Sequence, residues 1–113
     1  PYTTIFQHTE LGKGTAIKIN DSRTICDYRM VEYLKQTANK HKITWQNEIL
    51  TAGGTDTSAL QQMTAGGSIA GAISIPTRHI HQVIEMAHKN DIKGSIDLLL
   101  NAIKDIKKFD WNL

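Results

Sequence analysis

The chain has 113 residues, enough for one compact domain with its own core. Hydrophobic residues make up 40% and charged residues 21%, which excludes a disordered polyelectrolyte. The 13 basic and 11 acidic residues leave a net charge of +2 with the lysines dispersed, so no nucleic-acid partner is expected.

The single cysteine, Cys26, has no partner for an internal disulfide and no metal-ligand spacing, which suits a reducing compartment. No apolar run approaches a membrane span and no charged-apolar-small leader opens the chain, so no membrane partner and a cytoplasmic location are expected. The opening Pro1-Tyr2-Thr3-Thr4-Ile5-Phe6 has the character of the inside of a folded domain. A processed protein and a piece of a longer polypeptide both begin in this way.

In chain order, Gly12-Lys13-Gly14 is turn chemistry, and Thr15 to Asn20 places Ile17 and Ile19 at period two, the mark of a short strand. Asp27 is placed to cap a helix running to about Lys40, with Met30, Val31, Leu34 and Ala38 gathered on one face. Ile43 to Leu50 alternates Ile43, Trp45 and Ile49 against Gln46 and Glu48, which predicts a second strand with a polar face. Asp56 lies where a helix cap belongs, ahead of Ala59, Leu60 and Met63, and Gly66-Gly67 is a common helix stop.

Ser68 to Ile75 is almost wholly apolar or small, as in a parallel strand covered on both faces, and Pro76 ends it. Val83 to Ala87 reads as another short strand. A final helix is predicted from Ile92, Ile96, Leu99, Leu100, Ile103 and Ile106, which form a continuous apolar stripe, with Asn90 or Asp91 as its cap. The alternation argues an α/β layered sandwich, a mainly parallel sheet with helices on both faces. The polar clusters after Leu50 and after Ile75 both follow strands, so they are expected to open on the same sheet edge.

Those clusters carry the candidate chemistry. Gly53-Gly54-Thr55-Asp56 is either a plain strand-to-helix turn or a bare backbone that a substrate can approach, lined by Thr55 or Asp56. In Ser74-Ile75-Pro76-Thr77-Arg78-His79-Ile80-His81, Arg78 can hold a carboxylate or simply pair with an Asp. A neutral imidazole at His81 or His79 can ligate an ion such as zinc. Gly66 to Gly71 precedes a strand rather than joining a strand to a helix, so it is a turn and not a phosphate cradle. Ser74 and Cys26 lack the partners of a nucleophile. His8, His41 and His88 read as exposed.

The two clusters resemble the C-terminal signature of the M42 family of metallo-aminopeptidases, which reads Gly-Gly-Thr-Asp-Ala-Gly and later Pro-Thr/Ala-Arg-Tyr-Ile-His. Leu11-Gly12-Lys13-Gly14, the Gln46 strand and the Leu-rich final helix follow in the family's order. The resemblance implies that the chain is the C-terminal segment (1–113) of the catalytic domain of an enzyme that removes N-terminal residues from peptides. It implies His81 as one metal ligand, with Gly54, Thr55, Asp56 and Arg78 in the substrate pocket. The family's two divalent ions, zinc or cobalt, lower the pKa of a bridging water and polarise the scissile carbonyl. The remaining ligands and the general base belong to segments that would precede Pro1, so this piece alone is expected to be inactive and to bind no metal.

Two departures from the family pattern stand out: Thr57-Ser58 replaces Ala-Gly, which is expected either to narrow the pocket or to shift the substrate preference, and His79 replaces Tyr, either as a substitute ring or as a second ligand. A large homo-oligomer is implied for the whole enzyme, and dimers or larger assemblies for the piece. The alternative reading is a stand-alone, non-catalytic α/β self-association module.

Overall fold

A computed structural model of the chain describes residues 9–20, 25–49, 69–78 and 86–112. Strand β1 is Thr15–Asn20, helix α1 is Tyr28–Lys40 and strand β2 is Trp45–Ile49. Three two-residue strands follow: β3 at Ile73–Ser74, β4 at Thr77–Arg78 and β5 at Met86–Ala87. Helix α2 runs from Lys89 to Asp105 and tightens into a 3-10 turn over Ile106–Lys108.

The α/β character is as expected, and the sheet itself is mixed. β1 and β2 are parallel, Thr15 opposite Trp45 and Lys18 opposite Glu48, with a register shift before Asn20 meets Ile49. A parallel pair needs a crossover, and α1 provides it. β3 lies on the other side of β1 but runs antiparallel, with Ala16 opposite Ser74 and Ile17 opposite Ile73. The apolar run 68–75 was expected to be a parallel strand. Apolar content reports burial and carries no information about direction, and only two residues of the run join the ladder. The second helix predicted after Asp56 lies outside the described residues.

Alternation along β1 separates two environments. Ile17 is fully buried in the core with Leu34, Ala38, Leu98 and Ala102 from the two helices. Thr15 lies on the same face, two residues earlier, and its Oγ1 accepts a 2.7 Å hydrogen bond from Ser95 of α2. Helices α1 and α2 pack against each other and both against β1. Among the described residues, the helices thus share one face of the sheet. No helix among them is long and apolar enough to cross a membrane.

Helix α1 is held at both ends. Asp27 caps it by accepting from the Arg29 N–H at 2.9 Å, and the Arg29 guanidinium returns to Asp27 Oδ2 at 2.7 Å. The same guanidinium donates to the Trp111 carbonyl, tying the C-terminal turn to the helix start. There Tyr33, Phe109 and Trp111 pack ring on ring with centroids 4.7–5.2 Å apart, and the Tyr33 hydroxyl donates to the Ala102 carbonyl. Burial pushes the Tyr33 phenol up.

At the other end the chain closes in a Schellman motif: Ile43 N–H bonds Ala38 O at 2.8 Å and Lys42 N–H bonds Asn39 O at 3.2 Å. Lys42 occupies the left-handed position that motif requires, at φ 57°. Lys42→Gly removes the Cβ clash and is expected to stabilise the fold by about 0.5–1 kcal/mol, read as a higher denaturation midpoint. An unchanged or lower midpoint contradicts this account of the cap.

Two carboxylates among the described residues contribute to stability in acid. The Arg29 hydrogen bond holds Asp27 below its usual range, and the His41 hydrogen bond does the same for Asp105, helped by Lys40 and Lys108. Their folded pKa values lie below the unfolded value of about 3.9, so between the two the unfolded chain binds more protons. The stability they contribute is present above about pH 4 and lost as pH falls through the lowered values. Acid unfolding of Asp27→Asn/Asp105→Asn should show a flatter pH dependence below that point than the parent chain, and an identical slope would refute it.

Candidate functional site

The sheet face turned away from the helices carries Ala16 and Lys18 of β1, Glu48 of β2 and Ser74 of β3, placed together by register. Lys18 is 1% exposed. Its Nζ lies 3.4 Å from Glu48 Oε1, and the Ser74 hydroxyl donates to the same oxygen at 3.0 Å. Ala16 sits between them and presents only a methyl group, which leaves room for the Glu48 side chain to reach across β1. A polar strand face was expected at Glu48. What stands there is a buried charge spanning three strands, which is tolerated because it has partners.

At the entry to β1, the Asp91 carboxylate of α2 is fully buried. It accepts from the Gly12 N–H at 2.8 Å and the Gly14 N–H at 2.9 Å. The Gln46 amide holds the other side of this turn, donating to the carbonyls of Glu10 and Gly14 and accepting from the Glu10 N–H. Both glycines have positive φ, 82° and 107°, and a Cβ on Gly14 would collide with the Thr44 carbonyl. Asn90 or Asp91 was expected to cap α2. Instead His88 caps it, through Nδ1 accepting from the Asn90 N–H at 3.1 Å, and Asp91 is released to bind the glycine turn. Two glycines whose N–H groups both need an acceptor are a signal for such a carboxylate, but not for which one.

The predicted site residues are distributed as follows. Gly54, Thr55 and Asp56 come after β2 and lie outside the described residues. So do His79 and His81, and with them any fit to a metal ion. Arg78 is the second residue of β4, paired with Met86 of β5, while Thr77 pairs with Ala87. In the sequence both histidines fall between β4 and β5. His41 and His88 are surface residues, as expected, whereas His8 lies outside the described residues.

Whether the two clusters open on one sheet edge is decided by residues 53–56 and 79–81, which lie outside the described residues. β2 ends at Ile49 beside Asn20, the last residue of β1, whereas β3 ends at Ser74 beside Ala16, near its first. The two strands thus end at opposite ends of β1. The antiparallel direction of β3 is the cause. Among the described residues, no group of three or more His, Cys, Asp or Glu side chains could hold a metal ion. They do not by themselves make the dinuclear centre that the resemblance implies.

The chain matches the model of the M42 glutamyl aminopeptidase family over residues 2–98 and belongs to that family. A protein of Acetivibrio thermocellus assigned as an aminopeptidase is 42% identical over 92 residues, covering 81% of this chain and 28% of the relative. Among solved structures, the aminopeptidase APDkam598 of the archaeon Desulfurococcus kamchatkensis is 33% identical with a TM-score of 0.81, covering 90% of this chain and 29% of its own. The TET1 peptidase of Pyrococcus horikoshii, which can assemble into a tetrahedron or a large octahedral shell, is 27% identical with a TM-score of 0.74, over 91% of this chain and 29% of its own. The chain therefore spans less than a third of the length of each relative.

The Lys18–Glu48 pair makes a clean stability test. Glu48→Leu leaves an ammonium buried without its carboxylate and should cost roughly 3–5 kcal/mol in chemical denaturation. Adding Lys18→Met should recover most of that loss, because two apolar side chains of similar volume replace both charges. A double variant no more stable than Glu48→Leu would show that the pair is not the unit that matters.

Proposed function

We propose that these 113 residues are the C-terminal part of the catalytic domain of an M42 aminopeptidase that hydrolyses N-terminal residues from peptides. The observation that carries this reading is the family match over 2–98 joined to a shared fold over 90% of the chain at a TM-score of 0.81. In this reading His81 supplies one ligand to a dinuclear site of zinc or cobalt, and every other ligand and the general base come from outside these residues. Gly54, Thr55, Asp56 and Arg78 line the peptide pocket. The piece alone is inactive and carries no metal, since one imidazole binds an ion weakly.

The whole enzyme works in the cytoplasm, where a lone cysteine such as Cys26 stays reduced. It assembles into a homo-oligomer, as the Pyrococcus horikoshii relative does. In the full-length enzyme, His81→Ala should remove about one metal equivalent per subunit and reduce turnover by at least two orders of magnitude, with the circular dichroism spectrum unchanged. Elemental analysis and peptidase assays read both effects. Wild-type metal content together with wild-type turnover would overturn the assignment.

A further inference from the structure

Lys18, Glu48 and Ser74 form a polar cluster that stability alone does not require. Taking an ammonium and a carboxylate out of water is costly, and two apolar side chains of similar volume commonly hold a fold as well or better. Lys18 is nonetheless 1% exposed and Glu48 8%. What an ion pair and a charge-assisted hydrogen bond supply, and an apolar contact does not, is direction. Slipping a strand by one residue turns its side chain to the opposite face and breaks the contact.

Direction matters most at β3. Its ladder to β1 has two residue pairs, Ala16 with Ser74 and Ile17 with Ile73, beside a backbone bond from the Lys18 N–H to the Ala72 carbonyl at 3.0 Å. So short a ladder specifies register weakly by itself. The ladder of β2 is longer, but its register shifts between Lys18 and Asn20, immediately beside Glu48. One carboxylate oxygen serves both places. Glu48 Oε1 lies 3.4 Å from Lys18 Nζ and accepts from the Ser74 hydroxyl at 3.0 Å, so β2 and β3 are fastened to each other across β1.

Each of the strands so fastened is followed in sequence by one of the two polar clusters. β2 ends at Ile49, ahead of Gly53-Gly54-Thr55-Asp56, and β3 ends at Ser74, ahead of Thr77-Arg78 and His81. We infer that Glu48, held by Lys18 and Ser74, is a positioning residue for peptide hydrolysis. It fixes the relative place of the two strand ends from which the pocket and metal-ligand segments continue. This rests on the aminopeptidase reading. None of the three side chains has to touch substrate. They act on alignment, where an error of about 1 Å costs on the order of a hundredfold in rate.

The test uses the full-length enzyme and three variants, each measured for kinetics on a peptide with a free amino terminus and for its denaturation midpoint. Ser74→Ala removes the hydroxyl and leaves the ion pair. Ser74→Thr keeps a hydroxyl on a side chain suited to a strand. Lys18→Met/Glu48→Leu replaces the pair with apolar groups of similar volume and is expected to keep a midpoint close to that of the parent. Ser74→Ala and the double variant should lose at least about tenfold in kcat with KM moved by less than about threefold, while Ser74→Thr stays within about threefold of the parent.

A double variant with both the midpoint and the kcat of the parent would show that the cluster serves packing alone, and would overturn the inference. Equal kcat for Ser74→Ala and Ser74→Thr would overturn it too, and that comparison decides the matter even if the double variant fails to fold. A parent enzyme that hydrolyses no peptide would sink the aminopeptidase reading and this inference with it. An active parent matched by an equally active double variant sinks the inference and leaves that reading standing.

Discussion

The fold depends on one buried carboxylate. Asp91 joins the first turn of α2 to a turn nearly eighty residues earlier, and no other described contact defines the entry to β1 in the same way. A buried anion without donors would be prohibitive, so the two glycine N–H groups are obligatory partners rather than optional ones. Its position in the first helical turn adds the favourable field of the helix N-terminus. With that turn fixed, Thr15 meets Ser95, Ile17 enters the helix layer, and β1 pairs in parallel with β2 from Thr15 to Lys18. Gln46 completes the arrangement from the neighbouring strand, using its amide in both directions.

This explains why the resemblance reached beyond the two polar clusters. Gly12-Lys13-Gly14, the Gln46 strand and the start of the last helix are three stretches of sequence but one hydrogen-bonded unit. Each glycine has a backbone reason to be glycine, and the residues around it are those that satisfy the exposed peptide groups. The glycine turn, Gln46 and Asp91 all lie within residues 2–98, the stretch that matches the family.

Local signals were legible and long-range ones were not. β1 lies where period-two alternation put it, and α1 begins at the Asp27 cap and ends at Lys40 as its pattern predicts. Caps and periodicity are decided within a few residues, so they can be read from a few residues. The direction of β3 depends on which neighbour it meets, and nothing in Ser68 to Ile75 encodes that. The roles of Glu48 and Asp91 were hidden for the same reason, since each is defined by a partner thirty to eighty residues away. Of the candidate site, Arg78 is placed as a paired strand residue. Gly54, Thr55, Asp56, His79 and His81 fall outside the described residues.

The α2 stripe marks the deepest limit of periodicity. A pattern of aliphatics at helical spacing says that a face must be buried, but not by what. Here the buried row of α2 includes Asp91 and Ser95, chosen for hydrogen bonds to β1, while six larger aliphatics point elsewhere. A helix that served only this sheet would have no use for a second apolar face adjoining the first. The described residues bury one of these faces, against α1 and β1, and leave the other exposed. On the opposite side of the sheet, Lys18 and Glu48 are buried where a solvated strand would have left them in water. Both layers thus have the composition of an interior, and the 113 residues read as a section through a larger fold rather than as its boundary.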